Sequence, residues 1–480
     1  MNHQVRRVAG AMLVLFLALA INLNWLQLVR GPALADNPAN RRLLVAQYGI
    51  ERGPIVVGAN DRIAESEATD GDLEYLRVYN EPELYAHVTG HASFIQGRTG
   101  IERAFNEQLT GTPTNVLAEN LTDLIQGRDA RGNTVRLTID PAVQEVARTA
   151  MAGRTGAVVA IEPTTGRILA SYANPTYDPN TLASHDGGAV LEAFDQYRLD
   201  PDEPLLDRAT RVTYPPGSVF KLVVAAAALE SGMNPTTAFD NEASYTPPGT
   251  ATAIQNAGGG FCASAPTISL ADALRVSCNT TFAQLAVTLG DEAVVAMAQQ
   301  MGFNRPIPYE LPVASSIIPT ELDDPALAQS AIGQRDVRMT ALHGAMIAAM
   351  IANDGVAMRP HVVNDVLSPS GRTIQGPEEG VWRESGYSEQ AMSTRSAEYL
   401  QEMMVGVVED GTASAALIGG YDIGGKTGTA EDPNMDGNIA WFVGFAEDDV
   451  AVAVVLPDVE GGGGGVAAPV AREVMLAALQ

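Results

Sequence analysis

The stretch YPPGSVFKL, residues 214–222, holds one of only two lysines in a chain of 480 residues. The other is Lys426, and the remaining 28 basic residues are arginine. Pro215, Pro216 and Gly217 resist continuing a helix backwards, so the apolar run behind them predicts a helix from Ser218 to Glu230, stopped by Gly232. Ser218 then stands at the helix start, where free backbone amides and the helix dipole favour developing negative charge. Lys221 lies three residues on, on the same face of the first turn, where the two side chains should meet. A serine hydroxyl is a poor nucleophile until a base takes its proton, and a desolvated lysine amine can lose its charge to become that base. Arginine cannot, because its guanidinium stays protonated. A serine three residues before a lysine is common by chance. It stands out here because exposed cations are otherwise written as arginine.

Working outward from this helix, LTIDPAVQEVARTAM at 137–151 reads as a short strand followed by a helix opened by Asp140 and Pro141. GAVVAIEP at 156–163 and RILASYA at 167–173 read as a β-hairpin. Helices are predicted over 270–276, 280–289 and 343–353, with Ser269 and Asp272 as a capping box before the first of them. GGKTGTAE at 424–431, NIAWFVGFA at 438–446 and VAVAVVLP at 450–457 read as three successive antiparallel strands, and a closing helix is expected over 466–480. Strands at both ends with helices between predict an α+β domain, an antiparallel sheet with flanking helices and a helical cluster.

Lys426 falls in IGGKTGTA, on a predicted strand. Gly424, Gly425 and Gly428 leave backbone room for a ligand, and Thr427 and Thr429 offer hydroxyls. A cation with hydroxyl donors suits a carboxylate, and a turn-flanking lysine is the plain alternative. SCN at 277–279 lies in the break between two predicted helices: Ser277 could relay a proton and Asn279 could orient a peptide backbone, although such residues in a loop are usually turn chemistry.

A balance of 57 acids against 30 bases, net −27, argues against nucleic acid and anionic headgroups as partners of the main body. Arg6 and Arg7 precede an apolar run from Val8 to Val29, closed by Arg30, long enough to cross a bilayer with the basic end inside. The expected arrangement is a cytoplasmic stub and signal anchor over 1–35, a single pass and an extracytoplasmic catalytic body. Cleavage after the small residues Ala33 and Ala35 is the alternative. Residues 36–135 are polar and mixed and read as an accessory unit before a main domain at 136–480. Cys262 and Cys278 are 16 positions apart, so a disulfide would tie the SCN loop, with two free thiols as the alternative.

Ser218 to Lys221, Ser277 to Asn279 and Lys426 to Gly428 follow the order and context of the SxxK, SxN and KTG motifs of penicillin-recognising serine acyltransferases. With LTID at 137–140, ANPTYDPN at 173–180 and SCNTTFAQL at 277–285, the chain resembles a class B penicillin-binding protein, most of all the actinobacterial A-type branch. NPANRR at 37–42, ERGPIVV at 51–57 and GRTGIERAFNEQLTG at 97–111 are similar to the non-catalytic pedestal of that class. The resemblance implies a peptidoglycan D,D-transpeptidase acting on stem peptides that end in D-alanyl-D-alanine, and inhibited covalently by β-lactam antibiotics. It implies Ser218 as nucleophile, Lys221 as general base, Ser277 as relay and Asn279 as substrate orienter. Lys426, Thr427, Gly428 and Thr429 would form the carboxylate subsite, with no metal or cofactor. A SEDS-family glycosyltransferase and divisome or elongasome proteins are implied partners. D,D-carboxypeptidase, β-lactamase and penicillin sensor are the rival readings.

Overall fold

The computed structural model describes residues 2–25, 48–71, 73–111, 131–384, 386–433 and 435–480. The expected cleavage site, the end of the apolar run and NPANRR lie outside these residues. Helix α1, Asn2–Trp25, has a mean hydropathy of 2.0 over its best window and is exposed along its length. At 1.5 Å per residue its 24 residues span about 36 Å, enough for a hydrocarbon core.

The N-terminal unit is a mixed sheet with small helices. It contains β1 (Ile55–Val57), β2 (Asp61–Ala68), β3 (Tyr75–Tyr79), α2 (Pro82–Thr89), α3 (Gly100–Ala104) and β4 (Thr134–Leu137). Its buried centre is ionic. Arg52 and Arg77 both donate to the fully buried carboxylate of Glu102, and Tyr79 Oη joins at 3.3 Å. Burial alone would raise that carboxylate's pKa, but the two guanidiniums more than offset it and bring it down to about 2.

After β4 come α4 (Pro141–Met151), β5 (Gly156–Ile161), β6 (Ile168–Asn174) and α5 (Gly187–Leu199). Asp140 caps α4 by accepting from the backbone N–H of Ala142 and Val143, as Asp-Pro at a helix start predicts. The helical cluster holds α6 (Lys221–Glu230), α7 (Leu270–Arg275), α8 (Asn279–Leu289) and α9 (Ala341–Ala352), in which every residue is buried. There follow β7 (Val363–Leu367), β8 (Thr373–Gln375), α10 (Thr394–Asp410), β9 (Ile423–Glu431), β10 (Asn438–Ala446), β11 (Val450–Val459) and α11 (Gly463–Ala478).

The main sheet runs β9-β10-β11-β5-β6, antiparallel throughout, so the two ends of the domain meet where β11 pairs with β5. Its central strands are buried on both sides and read as unbroken apolar runs such as AVAVVL, without the alternation of a half-exposed sheet. Helices α4 and α11 pack together and on this sheet, and α9 packs on β11, β10 and β5.

Local differences from the expected pattern have physical causes. The helix expected from Ser218 opens as a tight 3-10 turn, Gly217–Phe220, and becomes α-helical at Lys221. The closing helix starts three residues early, at Gly463. A side chain there would lie 2.1 Å from the Trp441 carbonyl, so glycine lets the helix rest on the sheet backbone. The Ser269–Asp272 pair is only half a capping box: Ser269 Oγ accepts from Asp272 N–H but donates to the Asp272 carboxylate. The second sheet runs β8-β7-β4-β1-β2-β3, so the hairpin 363–375, expected within one continuous unit at 136–480, extends the N-terminal sheet.

Candidate active site

The loop before Ser218 is pinned on three sides. Trp441 Nε1 donates to Pro215 O at 3.0 Å, Gly217 N–H donates to Gly333 O at 3.0 Å, and β9 closes the third side. Gly217 has φ +53°, and a Cβ on it would lie 2.5 Å from Thr429 O and 3.1 Å from Thr429 N. A Cβ on Gly428 would lie 2.5 Å from Pro216 O. These two glycines let the turn that carries Ser218 and the edge strand touch backbone to backbone, with Ser218 half-buried beside them.

Lys221 is fully buried, and its Nζ donates to Ser277 O at 2.7 Å, Ser277 Oγ at 3.2 Å and Asn279 Oδ1 at 2.7 Å. Its amine thus turns to the SCN loop, and among the described residues no hydrogen bond joins it to Ser218 Oγ. Lys426, also fully buried, donates to Ser277 Oγ at 2.9 Å and to Thr427 O at 2.9 Å. The only two lysines therefore converge on one hydroxyl.

Ser277 occupies the left-handed region, φ +60°, in a tight break where its N–H and that of Cys278 bond back to Leu274 O and Ala273 O. Cys278 is joined to Cys262 with S–S 2.06 Å. The Asn279 amide donates to Gln255 O at 2.9 Å, so it also ties the loop to the neighbouring segment. Burial lowers both lysines. Lys426 falls to about 7, and Lys221, which also feels the charge of Lys426, falls well below its ordinary value. Burial of both lysines thus favours loss of a proton beside Ser277.

The edge strand separates the expected carboxylate group. Thr427 is buried, and its hydroxyl meets Thr412 Oγ1 at 2.8 Å; Thr429 is exposed, and its Oγ1 accepts from Gly463 N–H at 3.3 Å. Thr412, Gly333 and the start of α11 thus join the site without having been singled out in the sequence. Thr412 carries a faint signal, a Gly-Thr step just after a long helix; Gly333 carries none, because its role is a backbone contact with Gly217, far away in the chain.

Comparison with known proteins decides the family. Residues 156–476 match the penicillin binding protein transpeptidase domain. The chain belongs to the penicillin-binding protein transpeptidases. Residues 52–135 match the penicillin binding protein A dimerisation domain. The peptidoglycan D,D-transpeptidase PbpA of Mycolicibacterium smegmatis is 41% identical across 100% of this chain and 99% of its own length. Its Mycobacterium tuberculosis counterpart is 39% identical over the same shares. The M. tuberculosis penicillin-binding protein A structure, a ceftriaxone acyl-enzyme complex, superposes with a TM-score of 0.87 at 39% identity, covering 91% of this chain and 100% of that one. Its penicillin G acyl-enzyme complex gives a TM-score of 0.84, covering 90% and 100%. The fold is that of a transpeptidase, and the protein is a serine D,D-transpeptidase, as the three motifs imply.

Proposed function

We propose that this transpeptidase cross-links peptidoglycan through an acyl-enzyme on Ser218. Ser218 Oγ attacks the penultimate carbonyl of a stem peptide ending in D-alanyl-D-alanine; the C–N bond breaks and the last D-alanine leaves as its amine. An amine from a neighbouring stem then displaces Ser218 and forms the cross-link. The backbone N–H groups of Ser218 and Thr429 receive the oxyanion, a contribution typically worth a few kcal/mol. β-Lactams acylate the same oxygen.

The observation that carries this reading is the meeting of Lys221 and Lys426 on Ser277 Oγ, beside the turn that presents Ser218. A neutral Lys221 amine keeps two N–H donors for Ser277 O and Asn279 Oδ1 and gives up its bond to Ser277 Oγ, so its lone pair can take the Ser218 proton once substrate draws the groups together. Ser277 can then pass a proton toward the leaving amine, with Asn279 holding Lys221 in place. Lys426 balances the substrate carboxylate, with Thr427 and Thr429 as hydroxyl donors; the space beside Gly428 is taken by Pro216 O, so that glycine admits the Ser218 turn and not the ligand.

The remaining layout is part of the same proposal. Residues 1–35 act as cytoplasmic stub and retained single-pass anchor, residues 36–135 as pedestal and 136–480 as catalytic domain facing outward. A SEDS-family glycosyltransferase with divisome or elongasome proteins is the expected assembly, an expectation of the class. Covalent labelling with fluorescent penicillin followed by peptide mapping should place the adduct on Ser218. Product analysis with a donor stem and an amine acceptor should yield cross-linked dimer. Release of D-alanine with water as the only acceptor would favour a carboxypeptidase, and rapid loss of the penicillin adduct a β-lactamase.

A further inference from the structure

A cavity of about 850 Å³ lies between α2 and α3 of the N-terminal unit and α5 with the segment 203–211 beyond it. It shares no lining residue with the three motifs, and its volume is that of a ligand pocket. Phe194, Tyr197, Leu205 and Leu311 form apolar walls, and the exposed residues Arg103 and Arg211 also line the cavity. Beyond α1, every other arginine among the described residues makes a hydrogen bond or ion pair, down to Arg154, Arg208 and Arg395, which use carbonyls or a tyrosine. Arg103 and Arg211 make none. In a chain of net charge −27, two uncommitted cations share one cavity.

Three acids, Glu203, Asp207 and Glu310, share the lining, but none of them pairs directly with Arg103 or Arg211. Asp207 accepts from Ala209 N–H at 2.9 Å and Thr210 Oγ1 at 2.5 Å, and Glu310 accepts from the N–H groups of Val362 and Val363. Glu203 lines both this cavity and the adjoining groove, which places it at their shared rim. Arg198, the third guanidinium of the lining, is already paired with Asp195.

We propose that this cavity is a second, non-catalytic site for a short peptide bearing free carboxylates, held by Arg103 and Arg211 with its side chains against the aromatic wall. The ligand class rests on the transpeptidase reading, since a carboxylate-ended peptide is what such an enzyme meets. Both units line the site, so an occupant bridges the pedestal and the segment that leads through Arg211 to Ser218.

The test uses the full chain with Ser218 blocked by penicillin, titrated with a labelled acetyl-Glu-D-Ala-D-Ala peptide. Saturable binding is expected, and the uncharged analogue, with glutamine and a C-terminal amide, should bind about tenfold more weakly. Arg103→Ala and Arg211→Ala should each weaken binding about fivefold or more while thermal melts stay unchanged. Glu203→Gln should leave binding unchanged or tighten it. No saturable binding, or binding indifferent to both arginines and to peptide charge, overturns the site while penicillin labelling still upholds the enzyme reading. If penicillin fails to label, that reading falls instead, and the Ser218→Ala chain with the same arginine variants still decides the cavity.

Discussion

Ser277 Oγ lies 3.2 Å from Lys221 Nζ and 2.9 Å from Lys426 Nζ, and the roles proposed for the two lysines differ in what each does with a proton. Lys221→Arg should retain charge but lose the lone pair, so acylation of Ser218 by fluorescent penicillin should fall at least about a hundredfold. A thermal melt on the same sample checks that the fold survives. A well-folded variant labelling at near-parental speed removes Lys221 as the base. Lys426 titrates near 7, so above that pH the free enzyme loses the cation that would meet a carboxylate. Acylation by penicillins should therefore decline as pH rises from about 7 to 9, and Lys426→Arg should flatten the decline. Stability runs the other way. Unfolding returns this amine to water with a value of 10.5, so the unfolded chain binds more protons between about 7 and 10.5. The folded state thus gains stability as pH rises through that window and loses it as pH falls back. Lys426→Met should remove part of that slope in melts recorded across the range.

At the scale of elements, the site depends on how closely a turn, a strand and a helix start approach one another. Gly217→Ala puts a Cβ 2.5 Å from Thr429 O at φ +53°, which forces the Ser218 turn away from β9. Strain of about 1–3 kcal/mol is expected, with a drop in penicillin acylation larger than the loss in melting temperature would explain. Similar acylation rates for variant and parent would show that the close approach is dispensable. The SCN loop has a covalent tie as well. Replacing Cys262 and Cys278 together by alanine should lower stability by about 3 kcal/mol, read from denaturant unfolding, because the link closes a short loop.

At the scale of the whole molecule, the two units are interleaved through the sheet to which β4, β7 and β8 contribute. The buried Glu102 with Arg52 and Arg77 anchors the N-terminal unit. Glu102→Gln leaves two guanidiniums facing a neutral amide, and a loss of about 3–5 kcal/mol is expected in thermal or denaturant unfolding. Because the folded carboxylate is depressed to about 2 from 4.5, its contribution is present above about 4.5 and lost as pH falls toward 2. The variant should therefore show a weaker acid dependence than the parent.

Much of this was legible from residues alone. Asp140-Pro141 marked a helix start, the run from 438 to 457 marked two paired strands, and the scarcity of lysine pointed to Lys221 and Lys426, because each is a local property of chain chemistry. Sequence could not say that both amines would converge on Ser277, that Thr412 would meet Thr427, or that residues 363–375 would pair with 134–137. Nor could it place Gly333 against Gly217. Those facts depend on distances between segments far apart in the chain, and such distances are set only when the apolar strands and helices pack into one core and bring the polar ends together.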